Sequence, residues 1–387
     1  MYWRPPTHKL SALQRVALDN AENYEGKIFW LRGFAGSGKT VLVLELLERF
    51  LRLHPYANVA FISFTYALRD LVSTGVSPEY SNRIKVFLLN EFIKQEDIYD
   101  LVAVDEIQDV TLDQLSKINQ KARRIYLSGD FDQKIYDKDL REDALLSFFY
   151  SGVEDLPEVY RLTTKIINIA KVAYPRSRIE QSSSKAPIKQ GADVYAIEAE
   201  NDEEEVRLVW EKAVYNSGIN FPSLILLPKH KDIQKFLTTL TSLGVFSLTV
   251  PVSKEHYEEI NRQLESQDIP LRYFGNGFGD LTEADNKPMV YLMTYHSSKG
   301  LDFPSVFLPF LNDSMEIAWP KIRENIPDID SKLLYVALTR SNYNLYISYS
   351  GSPHPFLAKA LEQSLIIRAN LSSEEEPEED DDDDDLF

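Results

Sequence analysis

Short apolar runs alternate with longer amphipathic stretches along the first 130 positions. Four runs rich in β-branched and aromatic residues read as buried strands: KIFWLRG (27–33), NVAFISF (58–64), DLVAVDE (100–106) and RRIYLSGD (123–130). Stretches with apolar residues at helical spacing separate them. This alternation is typical of a parallel sheet whose strands are joined by crossover helices.

A second series of apolar runs begins after Pro157. Its members are DVYAIEA (193–199), PSLILLP (222–228), MVYLMTY (289–295), SVFLPFL (305–311) and YNLYISYS (343–350). The pattern predicts two α/β domains, 1–155 and 156–370, with a cleft between them. The polar segment 251–287, which carries the loop FGNGFGD, is predicted to be a small excursion from the second domain.

Composition places the chain among globular proteins. It has 44% apolar residues, with 20 Phe and 21 Tyr, which is ample material for buried cores. The absence of cysteine excludes disulfides and thiolate chemistry. No stretch approaches the ~18 to 20 uninterrupted apolar residues of a membrane span. We therefore expect a cytoplasmic protein without membrane contact.

The formal net charge of −18 is concentrated at the C-terminus, where the last 14 residues hold eleven carboxylates. Because like charges repel, the segment 371–387 is predicted to be a disordered acidic tail. Three roles stay open for it: solubilisation, occupation of a nucleic-acid groove as a mimic, or docking on a partner through Leu386 and Phe387. A local basic groove elsewhere on the chain remains compatible with nucleic acid.

The stretch Gly33 to Thr40 fits the pattern G-x-x-x-x-G-K-[ST] at the end of a predicted strand and the start of a helix. Small residues there let backbone N–H groups curl around a phosphate, and this predicts binding by Gly36, Ser37 and Gly38. Lys39 would reach the β- and γ-phosphates, and the Thr40 hydroxyl would ligate Mg²⁺.

A second acidic feature ends the buried run LVAV. Asp105 at a strand end is placed to bind Mg²⁺, and the adjacent Glu106 to activate the attacking water as general base. The six histidines show no metal-ligand spacing. These residues therefore predict hydrolysis of a nucleotide that carries Mg²⁺; that the nucleotide is ATP is implied by the resemblance described next.

The run Asp105-Glu106-Ile107-Gln108-Asp109 resembles the DExQD box of UvrD/Rep-type superfamily 1 helicases. Six further stretches are similar to other boxes of that family, in its order: LSALQ (10–14), FISFTYA (61–67), LSGDFDQKIY (127–136), LPEVYRL (156–162), TYHSSKGLDF (294–303) and LLYVALTRS (333–341). The resemblance spans residues 10 to 350 and implies two RecA-like domains with mostly parallel sheets and an ATP cleft between them.

The same resemblance assigns roles to individual residues. It places Gln14 and Tyr160 on adenine, Asp302 on the nucleotide, and Gln133, Arg161 and Arg340 around the γ-phosphate. The nucleic-acid contacts that it implies are Phe64, Thr65, Tyr66, Tyr136, Thr294 and His296. The implied partner is single-stranded DNA, with RNA left open, and the implied direction of movement is 3′ to 5′.

Three features depart from the family pattern. Only 64 residues separate Thr40 from Asp105, and 132 separate Arg161 from Thr294, so both of the family's usual insertions are short or missing. Lys138 stands where the family carries an aromatic platform for a base. The chain is therefore expected to be a near-minimal motor core, either a monomer or part of a complex.

Two functions remain open from the sequence. One is a DNA-stimulated ATPase that moves on single-stranded DNA. The other is a helicase-like regulatory ATPase that controls a partner such as a nuclease or a DNA-repair factor. An inactive interaction module is disfavoured because the residues predicted for ATP chemistry are all present.

Overall fold

The computed structural model describes residues 4–147, 149–185, 193–275 and 281–369. The predicted acidic tail lies outside these residues, as do the last five residues of the FGNGFGD loop. Among the described residues, no helix has the length and apolar character needed to cross a bilayer.

The first domain is built on a six-stranded sheet in which every registered pair is parallel. Its strands, in chain order, are β1 (Ile28–Gly33), β2 (Val59–Ser63), β3 (Ile84–Leu88), β4 (Tyr99–Val104), β5 (Ala122–Gly129) and β6 (Gly152–Leu156). They lie side by side in the order β3-β2-β4-β5-β1-β6. The helices of this half are α1 (Ala12–Asn23), α2 (Lys39–Leu53), α3 (Tyr66–Gly75), α4 (Leu89–Ile93), α5 (Leu112–Lys121) and α6 (Glu142–Ser147).

A short two-stranded pair, β7 (Glu158–Val159) with β8 (Ser183–Ser184), follows the first sheet. The second sheet has seven strands, again parallel at every registered pair. They are β9 (Val194–Ala199), β10 (Ser223–Leu227), β11 (Leu271–Tyr273), β12 (Val290–Thr294), β13 (Phe303–Leu308), β14 (Ser341–Ser350) and β15 (Ile367–Arg368), in the spatial order β11-β12-β10-β13-β14-β9-β15. The helices of this half are α7 (Thr164–Ala173), α8 (Asp202–Tyr215), α9 (His230–Ser242), α10 (Tyr257–Ser266), α11 (Pro320–Asn325), α12 (Ile329–Leu338) and α13 (Pro355–Glu362).

Burial explains why the central strands carry continuous apolar runs. β2 and β10 are buried at all five of their positions, because helices cover both faces of each sheet. One core lies on each face of the first sheet, with α1, α2 and α3 on one side and α4 and α5 on the other. The predicted fold class is confirmed: the protein is α/β, with two large parallel sheets.

The predicted strands agree with the observed ones to within a few residues. The strand β3 was not predicted, and neither were β6 and β11. The predicted excursion at 251–287 contains α10 and the edge strand β11, which pairs in parallel with β12. The domain boundaries proposed from the sequence stay a prediction, although β6 ends the first sheet at Leu156.

Candidate active site

The glycine-rich loop joins the end of β1 to the first residue of α2. Gly36 and Gly38 have φ angles of +75° and +86°, a left-handed conformation that favours glycine. A Cβ at Gly36 would lie 2.6 Å from Cβ of Arg161, and one at Gly38 would lie 2.7 Å from Nε2 of Gln14. Backbone conformation therefore favours glycine at both positions, and at Gly36 the close approach of Arg161 Cβ leaves no space for a side chain.

Lys39 is buried at the start of α2. Its ammonium donates to the carbonyls of Gly33 and Phe34, at 2.7 and 2.9 Å. Burial lowers the pKa of Lys39, and the carboxylates of Asp130, Glu106 and Asp105 oppose that shift. A phosphate in the loop would offer this cation charged acceptors in place of two neutral carbonyls.

Thr40 and Asp105 meet at the end of β4. The Thr40 hydroxyl donates to Oδ2 of Asp105 at 2.6 Å, while Oδ1 accepts from the Ser128 hydroxyl at 2.7 Å. Burial raises the pKa of Asp105, and the charge of Glu106 adds to the effect. Hydroxyl and carboxylate oxygens are the ligands that Mg²⁺ prefers, so this pair fits a nucleotide-bound magnesium ion.

Glu106 follows directly, with a φ angle of +50° that is uncommon for a residue with a side chain. Its carboxylate accepts from the Gln108 amide and lies 3.8 Å from the ammonium of Lys299. Burial acts to raise the pKa of Glu106, but Lys299, Lys39 and Arg340 together lower it. The carboxylate is therefore ionised at neutral pH, as a general base requires.

Gln133 links the two domains. It ends a 3₁₀ turn after β5, and its amide donates to Asp130 at 3.1 Å. Its Oε1 accepts from Nη2 of Arg340 at 3.1 Å, across the cleft. Arg340 is 1% exposed and also donates to the carbonyls of Val336 and Leu301.

Burial lowers the pKa of Arg340 to about 9, and the neighbouring Arg161 adds to the shift. Arg161 lies 3.4 Å from Asp302 and donates to the Thr339 carbonyl at 3.3 Å. Its Nε is buried without a hydrogen-bond partner in the described structure. Two mutually repelling guanidinium groups, one with a free donor, suit an anionic group placed between them.

The predicted adenine contacts include the first turn of α1. Ser11 and Gln14 form a capping box, and the Gln14 amide also donates to the Ser37 carbonyl at 3.2 Å. The hydroxyl of Tyr160 donates to Glu158 and lies 2.5 Å from Oγ of Ser11. These contacts fix the hydroxyl of Tyr160. The backbone N–H of Tyr160 donates to the Gly36 carbonyl at 2.9 Å.

A cavity of about 590 Å³, here called the groove, lies beside a second cavity of about 510 Å³, here called the interdomain cavity. The interdomain cavity is lined by residues of both domains. It brings together all but one of the residues predicted for ATP and Mg²⁺: Gln14, Gly36, Gly38, Lys39, Thr40, Asp105, Glu106, Gln133, Tyr160, Arg161, Asp302 and Arg340. Ser37, the exception, is buried.

The groove collects four of the six residues predicted to contact nucleic acid: Phe64, Thr65, Tyr66 and Tyr136. Lys94, Lys138 and Lys299 supply positive charge along it. Thr65 has a second, structural role, because its hydroxyl caps α3 by accepting from the backbone N–H of Leu68 at 3.2 Å.

The other two predicted contacts, Thr294 and His296, are not among the described residues that line the groove. The Thr294 hydroxyl accepts from the backbone N–H of Ser297 at 3.1 Å and so shapes the turn after β12. The His296 ring lies 5.7 Å from the Tyr136 ring, centroid to centroid. Burial lowers the pKa of His296 to about 4, so at neutral pH this ring packs as a neutral group.

Several site residues were absent from the sequence prediction. Lys299 and Asp109 form an ion pair of 2.6 Å across the domain interface, and Asp130 holds Gln133. The quoted boxes contain Lys299, Asp109 and Asp130. Their place in those boxes was the sequence signal that could have identified them. Ser128, which bonds Asp105, also lies inside a quoted box, LSGDFDQKIY (127–136), near the end of β5.

Part of the chain's second half resembles a known protein family. Residues 253–352 match the family model of the UvrD-like helicase C-terminal domain. The ATP-dependent DNA helicase PcrA of Staphylococcus aureus (strain Mu50 / ATCC 700699) is 39% identical over 104 residues, which cover 25% of this chain and 14% of that protein. PcrA of Staphylococcus epidermidis (strain ATCC 35984) is 39% identical over 159 residues, which cover 36% of this chain and 20% of that protein. The matched region thus spans a fifth or less of these relatives.

Among solved structures, the complex of the Arterivirus nonstructural protein 10 helicase with DNA aligns at a TM-score of 0.42 and 17% identity, covering 86% of this chain and 62% of that one. A crystal structure of the Arterivirus nonstructural protein 10 helicase aligns at a TM-score of 0.41 and 17% identity, covering 86% of this chain and 61% of that one. The family model and the sequence matches confirm the predicted resemblance to UvrD/Rep-type superfamily 1 helicases.

Proposed function

We propose that the chain is an ATP-dependent translocase or helicase of the UvrD/Rep type that moves on single-stranded DNA and hydrolyses ATP in the interdomain cavity. One observation carries the proposal. The glycine-rich loop, the Asp105–Glu106 pair and Gln133 of the first domain line a single cavity with Arg161 and Arg340 of the second. Phosphoryl transfer needs that combination of a phosphate cradle, a magnesium site, a base and cations.

In the proposed reaction, the loop and Lys39 hold the β- and γ-phosphates, and Thr40 and Asp105 hold Mg²⁺, which neutralises charge on the phosphates. Glu106 takes a proton from the attacking water. Arg340 and Arg161 stabilise the charge that develops on the γ-phosphate. Since both arginines lie beyond the first sheet, hydrolysis is tied to the approach of the second domain.

The proposed substrate track is the groove. Phe64, Tyr66 and Tyr136 supply aromatic faces, and each stacked base contributes ~1–3 kcal/mol. Lys94 and Lys138 supply charge for the strand phosphates. The same proposal includes movement from 3′ to 5′, a cytoplasmic location and association with a nuclease or DNA-repair factor. The regulatory-subunit alternative is not favoured, since the matched relatives are themselves named as DNA helicases.

The test is ATP hydrolysis measured with and without a single-stranded oligothymidylate. We expect turnover that requires Mg²⁺, rises strongly with the strand and is abolished by Lys39→Ala. If a fluorescent nucleotide binds the wild type but adding a strand does not change ATP turnover, the translocase proposal is contradicted. The regulatory ATPase is then favoured. Failure of the wild type to bind nucleotide at all would contradict the whole proposal.

A further inference from the structure

A cavity of about 290 Å³, here called the α3 cavity, lies between helix α3 of the first domain and the second domain. Leu71 and Thr74 belong to the wall that α3 supplies. The opposite wall comes from the second domain and includes Phe274, Tyr291 and Phe303. A molecule bound in the α3 cavity would therefore contact both domains at once.

The second-domain wall of the α3 cavity is aromatic. The Tyr291 ring lies 6.3 Å from the Phe274 ring and 6.0 Å from the Phe303 ring, centroid to centroid. The Tyr291 hydroxyl donates to the Leu281 carbonyl at 3.0 Å, so its hydrogen is already used within the protein. Cavities with such walls bind small molecules that have an apolar body, and this volume is near the lower end of their usual range of roughly 300–1,000 Å³.

The charged groups that line the α3 cavity are negative. They are Asp70, Asp285 and Asp302, and no Lys, Arg or His is among the described residues of the lining. Arg69 lies 3.3 Å from Asp70, and Arg161 lies 3.4 Å from Asp302. Neither arginine lines the cavity. Carboxylates beside aromatic rings favour an ammonium ion, through Coulomb attraction and cation–π contact.

The α3 cavity also adjoins the interdomain cavity, since Leu71 and Asp302 line both spaces. The two oxygens of Asp302 have different partners. Oδ1 lies 3.4 Å from Arg161, which lines the interdomain cavity, whereas Oδ2 accepts from the amide of Asn342, which lines the α3 cavity, at 2.9 Å. A cation in the α3 cavity would therefore approach a carboxylate that also contacts the predicted ATP site.

We propose that the α3 cavity is a regulatory site for a small hydrophobic ammonium ion, a molecule with a flat apolar body and one protonated amine. The body packs on the aromatic wall, and the amine faces the carboxylates. Because the bound molecule contacts α3 and the second domain together, it holds the two domains in their packed arrangement. Turnover requires the domains to approach and separate, so occupancy lowers kcat. This last step rests on the proposed function, whereas binding does not.

The first experiment measures binding to the purified full chain by ligand-observed NMR titration, without nucleotide or strand. The probe is 1-naphthylmethylamine, which is positively charged at neutral pH. Two molecules with the same ring system serve as comparisons: 1-naphthalenemethanol is neutral, and 1-naphthoate is negatively charged. We expect the amine to bind about fivefold more tightly than the alcohol. The carboxylates should repel 1-naphthoate, which should bind more weakly still.

Two pairs of variants locate the bound probe. Thr74 is exposed and lines the α3 cavity, so Thr74→Trp should block the cavity without disturbing a core and should weaken amine binding at least about tenfold. Ser73→Trp makes the same change at a neighbouring exposed position outside the lining, and should bind the amine like the wild type. Asp285→Asn should weaken binding of the amine but not of the alcohol. Its control, Asp113→Asn on the exposed face of α5, should alter neither.

The second experiment measures kcat for ATP hydrolysis with saturating oligothymidylate, in the presence and absence of saturating 1-naphthylmethylamine. Wild-type kcat should fall about fivefold or more, within the usual range of coupling between two sites. The kcat of Thr74→Trp should not respond to the amine. Inhibition that persists in this variant would come from the strand or from the ATP site, and would contradict regulation through the α3 cavity.

The site and its regulatory effect can fail separately. If the alcohol binds as tightly as the amine, or if Thr74→Trp binds the amine like the wild type, the assigned site is wrong. If the amine binds in the cavity but leaves the kcat of an active wild type unchanged, the regulatory effect is wrong. A wild type without ATP turnover contradicts the proposed function and the regulatory effect with it, and the binding result still decides whether the site exists.

Discussion

Replacing Glu106 by Gln removes the predicted base with little change in shape. The carboxylate accepts from Gln108, and the amide oxygen of the new side chain can accept in the same way. Lys299 is not stranded by the change, because it keeps its 2.6 Å bond to Asp109 and its bond to the Gln133 carbonyl. We therefore expect a folded protein with an intact cavity.

The expected kinetic effect follows from the role. General-base catalysis contributes ~10²–10⁴-fold, so kcat with saturating strand should fall by that factor, which corresponds to ~3–5 kcal/mol in the activation free energy. Nucleotide affinity should change little, since the proposed contacts of Lys39 with the phosphates and of Asp105 with the metal are kept. Steady-state turnover and equilibrium binding of a fluorescent ATP analogue measure the two quantities separately.

A matched control makes the comparison specific. Glu211→Gln is the same chemical change on the exposed face of α8, where Glu211 pairs with Arg207. It should leave both turnover and binding unaltered. If Glu106→Gln turns over ATP at a rate near that of the control, the general-base assignment is wrong.

Four further outcomes are expected. Arg340→Ala should lower kcat steeply while nucleotide binding is largely kept, since its charge acts in the closed transition state; a loss of affinity at unchanged kcat would contradict the cleft model. Gly38→Ala should destabilise the fold by ~1–2 kcal/mol in urea unfolding, because φ is +86° and the new Cβ meets Gln14; unchanged stability would count against a rigid loop. Burial raises the pKa of Glu205, so the folded state binds its proton more tightly than the unfolded state and stability falls as pH rises from about 4.5 through the raised pKa. Glu205→Gln should remove that fall. If the difference in free energy of unfolding between the wild type and Glu205→Gln stays constant with pH, the prediction is wrong. Truncation after Ser373 should tighten strand binding most at low salt if the tail occupies the groove, whereas unchanged affinity together with loss of a complex in pull-downs from host extract would indicate partner docking; if neither changes, solubilisation stands.

Much of the fold could be read from the sequence because the relevant signals are local. Continuous apolar runs such as those of β4 and β10 mark strands that are buried on both faces, and the glycines before Lys39 mark a turn that few other residues can form. The strands that were missed have weaker local signals. The edge strand β6 carries two carboxylates in GVEDL, and β11 has only three residues. Pairing with a neighbouring strand, rather than composition, makes them strands.

The sequence by itself determined which residue types are available for ATP chemistry and in what order they occur. Only the tertiary structure decided which of them meet. Arg340 bonds Gln133 across 207 positions of the chain, and Lys299 bonds Asp109 across 190. Such pairs depend on how the two sheets pack together. No local sequence pattern encodes which residues meet across so many positions of the chain. For the same reason only the structure shows what surrounds Thr294 and His296, whose role as strand contacts stays a prediction: Thr294 shapes a turn, and the partly buried His296 ring packs against Tyr136.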